Sequence, residues 1–174
     1  MATSSLLSLD ELRRRAARVR LVLTDVDGVL TDTGVYYGAD GEAMKRFSIR
    51  DGMGMEILRD HGIATAMITR EDSPRVASRS RHLKLPYYFP GIWDKAAELE
   101  RVLAETGRTI DELAYIGDDV NDLGIMQRIA PHGILACPGD AMPAIASIVH
   151  YQATATGGHG AFRDFAEYLL SLRA

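Results

Sequence analysis

Leu21-Val22-Leu23-Thr24-Asp25-Val26-Asp27-Gly28-Val29-Leu30-Thr31 decides how the chain is read. An apolar run of strand length stops at two aspartates one residue apart, and a glycine follows. A buried parallel strand delivers acidic side chains in this way to the carboxyl edge of a sheet, where open α/β folds bind their ligands. Carboxylates this close repel each other and lose hydration unless a cation or a bound phosphate compensates. Taken alone, Asp-Xaa-Asp-Gly is equally a strand followed by an Asp-Gly turn. The flanking sequence separates the two readings.

Working outward, Ser8 and Glu11 at capping-box spacing predict a helix over 9–19 ahead of strand 21–25. Beyond Asp32, two β-prone runs flank Gly38-Ala39-Asp40-Gly41, which predicts a hairpin within 33–47. Helix 52–61, strand 63–68, helix 73–83, a short strand at 87–89, helix 95–106 and strand 113–116 come next. Helix 120–129, strand 132–136, helix 141–147 and a last strand at 148–150 continue the alternation. The Gly-rich stretch 154–160 reads as a mobile tail, and helix 161–172 closes the chain. Such β-α repetition predicts an α/β fold with a doubly wound, Rossmann-like parallel sheet and right-handed crossovers. The whole of 1–174 reads as one domain. Between Asp27 and Thr69 there is room for the hairpin and one helix only, so no cap domain is expected.

Composition narrows the function classes. A formal charge of −4 with no long basic run argues against nucleic acid as a partner. The single cysteine, Cys137, excludes an internal disulfide framework and fits a reducing compartment. No apolar stretch reaches membrane-spanning length, and Met1 to Asp10 lacks the charged start and long apolar core of a secretory signal. A cytoplasmic location is expected.

Four strand ends then offer polar groups at one sheet edge: Asp25 with Asp27; Thr69; Lys95 at the start of a helix; and Asp118 with Asp119 and Asp122. Singly, each has an ordinary structural explanation as a cap, a solvated lysine or a charged turn. Together and in this order they match the needs of phosphate-monoester hydrolysis. That reaction is among the slowest uncatalysed ones, and it requires a nucleophile and neutralisation of the transferring group. A carboxylate nucleophile splits the reaction into two displacements, a hard oxygen-liganded cation screens the acids, and a hydroxyl and an ammonium grip phosphate oxygens.

Asp25-Val26-Asp27-Gly28-Val29, Thr69, Lys95 and Gly117-Asp118-Asp119-Val120-Asn121-Asp122 resemble the four motifs of haloacid dehalogenase-type phosphatases. Arg50-Asp51-Gly52, Gly91-Ile92-Trp93-Asp94-Lys95 and Gly157-Gly158-His159-Gly160-Ala161-Phe162-Arg163-Asp164 extend the resemblance to the cap-less branch acting on sugar-acid phosphates. The resemblance implies Asp25 as nucleophile and Mg2+ ligand, and Asp27 as acid/base with its backbone carbonyl on the metal. It further implies that Thr69 and Lys95 hold the phosphoryl group, that Asp118 is the third protein ligand, and that Asp119 and Asp122 support the metal. Ser48, Arg50, Asp51, Gly52, Arg79 and Asn121 fall where the family contacts the sugar acid.

Two other classes compete. A phospho-acceptor receiver domain shares the fold and the acids, but it carries its acceptor on a later strand and lacks the second aspartate two residues on. A non-catalytic oligomerisation domain related to the end of acylneuraminate cytidylyltransferases would have lost a catalytic residue, and none is missing here. Tyr36, Tyr37, Met44 and Phe47 are too many large apolar groups for a small ribbon to bury, which predicts a subunit contact and a homotetramer, with the 157–160 stretch reaching toward a neighbouring site. Arg70-Glu71 follows Thr69 where eight-carbon sugar-acid phosphatases usually have Gly-Arg. Glu71 resembles the nonulosonate 9-phosphate enzymes, although those carry Gly where Arg70 stands and a lysine where His82 stands. A nine-carbon substrate whose hydroxyls Glu71 reads is therefore expected.

Overall fold

Strand β1, Leu21–Thr24, is the centre of a six-stranded parallel sheet, paired with β4 (Ala64–Ile68) on one side and β6 (Leu113–Ile116) on the other. The computed structural model describes residues 7–174, so Met1–Leu6, part of the stretch read as lacking a secretory signal, lie outside it. The remaining strands are β5 (Tyr87–Phe89), β7 (Ile134–Cys137) and β8 (Tyr151–Gln152), and the order is β5-β4-β1-β6-β7-β8. The winding reverses direction at β1, so the β1/β6 boundary is the switch point at which such sheets open a crevice beyond their carboxyl ends. β2 (Val35–Gly38) and β3 (Gly41–Lys45) form a separate antiparallel ribbon with a register shift at Tyr36/Tyr37.

Alternation along each strand divides the core in two. Val22, Met67, Ala114 and Ile116 face α1 (Leu9–Arg18), α2 (Ile49–Asp60), α3 (Pro74–His82) and α7 (Ala161–Ser171). Leu21, Leu23, Ala66, Ile68, Leu113 and Leu135 face α4 (Leu99–Thr106), α5 (Val120–Ile129) and the short α6 (Pro143–Ala146). Both faces are covered, as an all-parallel sheet requires.

Several boundaries depart from the sequence expectation, each with a local cause. α2 starts at Ile49 rather than 52 because Ser48 caps it, its Oγ accepting from Arg50 N at 3.1 Å. The two glycines that suggest a later start are contact residues: a Cβ on Gly54 would sit 3.0 Å from Arg163 Cα, where α2 and α7 cross. Lys95 does not open a helix, since 95–98 form turns and α4 begins at Leu99. The last strand lies at 151–152 instead of 148–150, because α6 ends at Ala146 and the chain needs further residues to return to the edge of β7.

The 154–160 stretch, expected to be mobile, is tied down within its own chain. Asp164 accepts from Thr154 N at 2.8 Å and from Tyr151 Oη at 2.7 Å, Gly157 N donates to Asp140 Oδ1 at 2.9 Å, and Gly158 N donates to Val29 O at 2.9 Å. Gly157, Gly158 and Gly160 are buried. The small residues of this stretch serve close packing.

Candidate active site

The expected acids converge beyond β1 and β6. Asp25 follows β1 directly and is buried, and one of its oxygens, Oδ1, pairs with Lys95 Nζ at 2.7 Å. Lys95 Nζ also reaches Asp122 Oδ1 at 2.6 Å, and the lysine is almost fully enclosed. Burial opposes its charge, but Asp25 and Asp122 together hold its pKa above the usual lysine value.

Asp122 sits on the first turn of α5, and both its oxygens are occupied. Oδ1 accepts from Lys95 and from Tyr115 Oη at 2.6 Å, and Oδ2 accepts from Asp118 N at 3.0 Å. It braces the loop that carries Asp118. Asp119 caps α5 through Val120 N at 2.6 Å.

Asp118 is the least compensated member of the group. Its Oδ1 is buried with no hydrogen-bond partner. Burial, then repulsion from Asp25, Asp122 and Asp119, pushes its pKa up to about 8. Asp25 is pushed up to about 7, by burial and then by Asp122, against the pull of Lys95. Ligand atoms of Asp25, Asp118 and Asp122 lie within 4.8 Å of one another. Three acids with one ammonium and an orphaned oxygen suit a hard divalent cation, which takes oxygen ligands. Because Asp122 is saturated, Asp25 and Asp118 are the side chains free to bind it. Gly28 makes their approach feasible: its φ is +94°, and any Cβ there would overlap the Asp118 carboxylate.

The acids floor a cleft of about 350 Å3 lined by Asp25, Asp27, Thr69, Glu71, Asp118, Asp119 and Asn121, together with Thr33, Arg70 and Val120. Thr69 is buried at the end of β4, its N–H donating to Phe89 O at 3.0 Å, and its Oγ1 accepts from Glu71 N at 3.3 Å. The cleft continues past Arg70 and Glu71 into a hollow of about 680 Å3 whose walls include Tyr37, Glu42 and Trp93. There the Arg70 guanidinium lies 3.8 Å over the Trp93 ring.

The other expected substrate contacts gather elsewhere. Arg79 Nη2 donates to Ser48 O at 3.0 Å, and Gly52 gives it room. Asp51 is buried and accepts from Arg163 N at 3.0 Å, supplying the cap that Gly160 cannot give α7. Arg50 is exposed near Gly160. None of Ser48, Arg50, Asp51, Gly52 and Arg79 lines the cleft in this chain.

Two residues of the site had escaped sequence reading. Lys45 comes from β3, with Nζ 2.8 Å from both Asp27 oxygens and 2.8 Å from Glu71 Oε2, and its side chain is fully enclosed. Asp27 and Glu71 hold its charge against burial and raise its pKa. No sequence periodicity links it to Asp27, 18 positions away. Tyr115 did leave a signal: a hydroxyl in the middle of a buried strand must find a partner.

No protein-family model matches the chain. It is 35% identical over 159 residues, 91% of the chain and 87% of the relative, to the 3-deoxy-D-manno-octulosonate 8-phosphate phosphatase KdsC of Haemophilus influenzae. The cobalt-bound structure of the deoxy-D-mannose-octulosonate 8-phosphate phosphatase from Haemophilus influenzae superposes with a TM-score of 0.85 at 34% identity, covering 91% of each chain. The Moraxella catarrhalis 3-deoxy-D-manno-octulosonate 8-phosphate phosphatase, solved with magnesium, phosphate and the KDO molecule, gives 0.86 at 30% identity, covering 95% of this chain and 94% of that one. These matches favour neither a receiver domain nor a non-catalytic assembly domain. A central strand ending in Asp25, opposed by Asp118 and backed by Lys95, places the chain in the 3-deoxy-D-manno-octulosonate 8-phosphate phosphatase family of haloacid dehalogenase-type phosphatases.

Proposed function

We propose that this protein is a magnesium-dependent phosphatase that hydrolyses a sugar-acid phosphate through an aspartyl-phosphate intermediate. The observation that carries the reading is the unpartnered Oδ1 of Asp118 beside Asp25, on the floor of a cleft at the switch point of the sheet.

Asp25 and Asp118, with the Asp27 backbone carbonyl, would hold Mg2+, which when bound neutralises the acids and the phosphoryl oxygens. The Asp25 carboxylate attacks phosphorus. The bond to the sugar oxygen breaks, and that oxygen takes a proton from Asp27. Asp27 then accepts a proton from water, whose oxygen attacks the same phosphorus and frees phosphate and Asp25. Two protons of the Lys95 ammonium are committed to Asp25 and Asp122, leaving one for a phosphoryl oxygen. The Thr69 hydroxyl already accepts from Glu71 N, so its own proton can go to another such oxygen.

The sugar acid would occupy the larger hollow past Arg70 and Glu71. The preferred substrate is a nine-carbon acid 9-phosphate, because Glu71 offers an acceptor for hydroxyls where a cation would otherwise meet a carboxylate. Asn121, which lines the acid-floored cleft, would meet the substrate nearer its phosphate. Arg50, which is exposed, would act across a subunit boundary, and Ser48, Asp51, Gly52 and Arg79 by shaping α2 and α7.

The assembly proposed is a homotetramer in the cytoplasm. No described helix is long and apolar enough to cross a membrane. Tyr36, Tyr37 and Met44 are more than half exposed on a ribbon beside an open cleft, and a sugar phosphate needs a more enclosed one. A fully active, monodisperse monomer in light scattering would refute the assembly. For the substrate, kcat/KM on eight- and nine-carbon sugar-acid phosphates is compared for wild type and Glu71→Arg. The wild type should favour nine carbons and the variant eight. A wild-type preference for eight carbons that the substitution leaves unchanged would refute the nine-carbon assignment.

A further inference from the structure

Gly28 is held from two sides. Its Cα faces Asp118 so closely that a methyl group there would overlap the carboxylate, and its carbonyl faces Gly157, where a Cβ would overlap the Gly28 oxygen and stand 3.0 Å from Thr31 O. Gly158 continues the contact: its φ is +66°, its N–H binds Val29 O, and a Cβ on it would come within 2.5 Å of Asp32 N. Backbone therefore lies on backbone along 28–32, with no side chain between to absorb a change. The outer side of the brace is fixed by Asp140, whose Oδ1 accepts from Gly157 N at 2.9 Å. It is tied to the ribbon by Arg46, which donates to Gly158 O at 3.0 Å and pairs with Asp32 at 3.3 Å. Neither Gly157 nor Asp140 lines the cleft.

We propose that Gly157, anchored by Asp140, is a positioning residue for the metal-binding carboxylates: it sets how closely the Gly28 backbone lies against Asp118. The inference rests on the assignment of Asp25 and Asp118 as the metal ligands. A ligand loop displaced by part of an ångström loses metal affinity and reaction geometry together, and outer-shell partners of this kind typically alter metal affinity about 10- to 100-fold.

The test measures Mn2+ affinity by electron paramagnetic resonance, and separately kcat and KM for p-nitrophenyl phosphate across a Mg2+ titration. The proteins are wild type, Gly157→Ala, Asp140→Ala and Asp118→Ala. Gly157→Ala should weaken Mn2+ binding by about tenfold or more and lower kcat about 100-fold, with KM at saturating metal changed less than about threefold. Asp140→Ala removes the anchor without inserting an atom. It should weaken Mn2+ binding about three- to tenfold, and excess Mg2+ should restore its kcat, which a general loss of folding would not allow. Mn2+ affinities of both variants within twofold of wild type, with Asp118→Ala failing to bind, would overturn the proposal and leave the function intact. If Gly157→Ala does not fold, Asp140→Ala decides alone. Wild type that binds no Mn2+, or Asp118→Ala that binds it normally, would overturn the metal assignment itself and this inference with it.

Discussion

Replacing Asp118 with Asn should stabilise the metal-free protein while destroying its activity. The carboxyl is pushed up to about 8 by burial and by three neighbouring acids, against a reference of 3.8 for the unfolded chain. The native state therefore binds more protons than the unfolded state between those values, so stability falls as pH rises through that window. The penalty for the carboxylate is about 2 kcal/mol at pH 5 and grows to about 5 kcal/mol at pH 8. An amide carries no charge to desolvate and can donate to Asp25, so Asp118→Asn should recover most of this. Urea unfolding followed by circular dichroism in the presence of a chelator, at pH 5 and pH 8, measures it. The variant should gain roughly 1–2 kcal/mol at pH 5 and roughly 3–5 kcal/mol at pH 8. Added Mg2+ should stabilise wild type and leave the variant unchanged. Equal or lower stability of the variant at pH 8, or a gain that does not grow with pH, would refute the account of the cluster as an uncompensated charge.

Asp25→Asn should abolish phosphate release without unfolding the protein, because an amide is no nucleophile; wild-type release by a folded variant would exclude Asp25 from that role. Asp27→Asn should slow turnover about 100-fold or more through lost proton transfer, read as kcat on an alkyl phosphate. Tyr115→Phe removes a hydrogen bond donated to the buried Asp122 carboxylate and should cost about 1.5–3 kcal/mol, or roughly 3–10 °C in Tm. A Tm change below about 1 °C would count against the Tyr115–Asp122 bond.

Much of the fold and of the site's chemistry was legible because it is local in sequence. The run into Asp25, the Gly117-Asp118-Asp119 turn and Ser8 ahead of its helix each announce themselves within a few residues. What escaped is set by contacts across the chain. Lys45 acquires meaning only when the ribbon folds back onto Asp27, and Asp51 reads as a candidate ligand until α7 arrives to use it as a cap. The glycines of 154–160 failed for a related reason. The same absence of a side chain permits disorder and permits contact, and sequence cannot tell which until the neighbouring backbone is placed.

The position of β1 bears on how the molecule comes to be made. The strand that leads into Asp25 pairs with residues near 64 and near 113, roughly 40 and 90 positions downstream, so two long loops must close before both edges are protected. Non-local parallel pairing of this kind folds slowly. During synthesis this apolar strand emerges early and keeps one edge open until β6 leaves the ribosome. Over that interval the nascent chain is exposed to intermolecular strand pairing. Yield in a cell should thus depend on translation rate and chaperone supply between about residues 64 and 116 more than on the final stability of the domain.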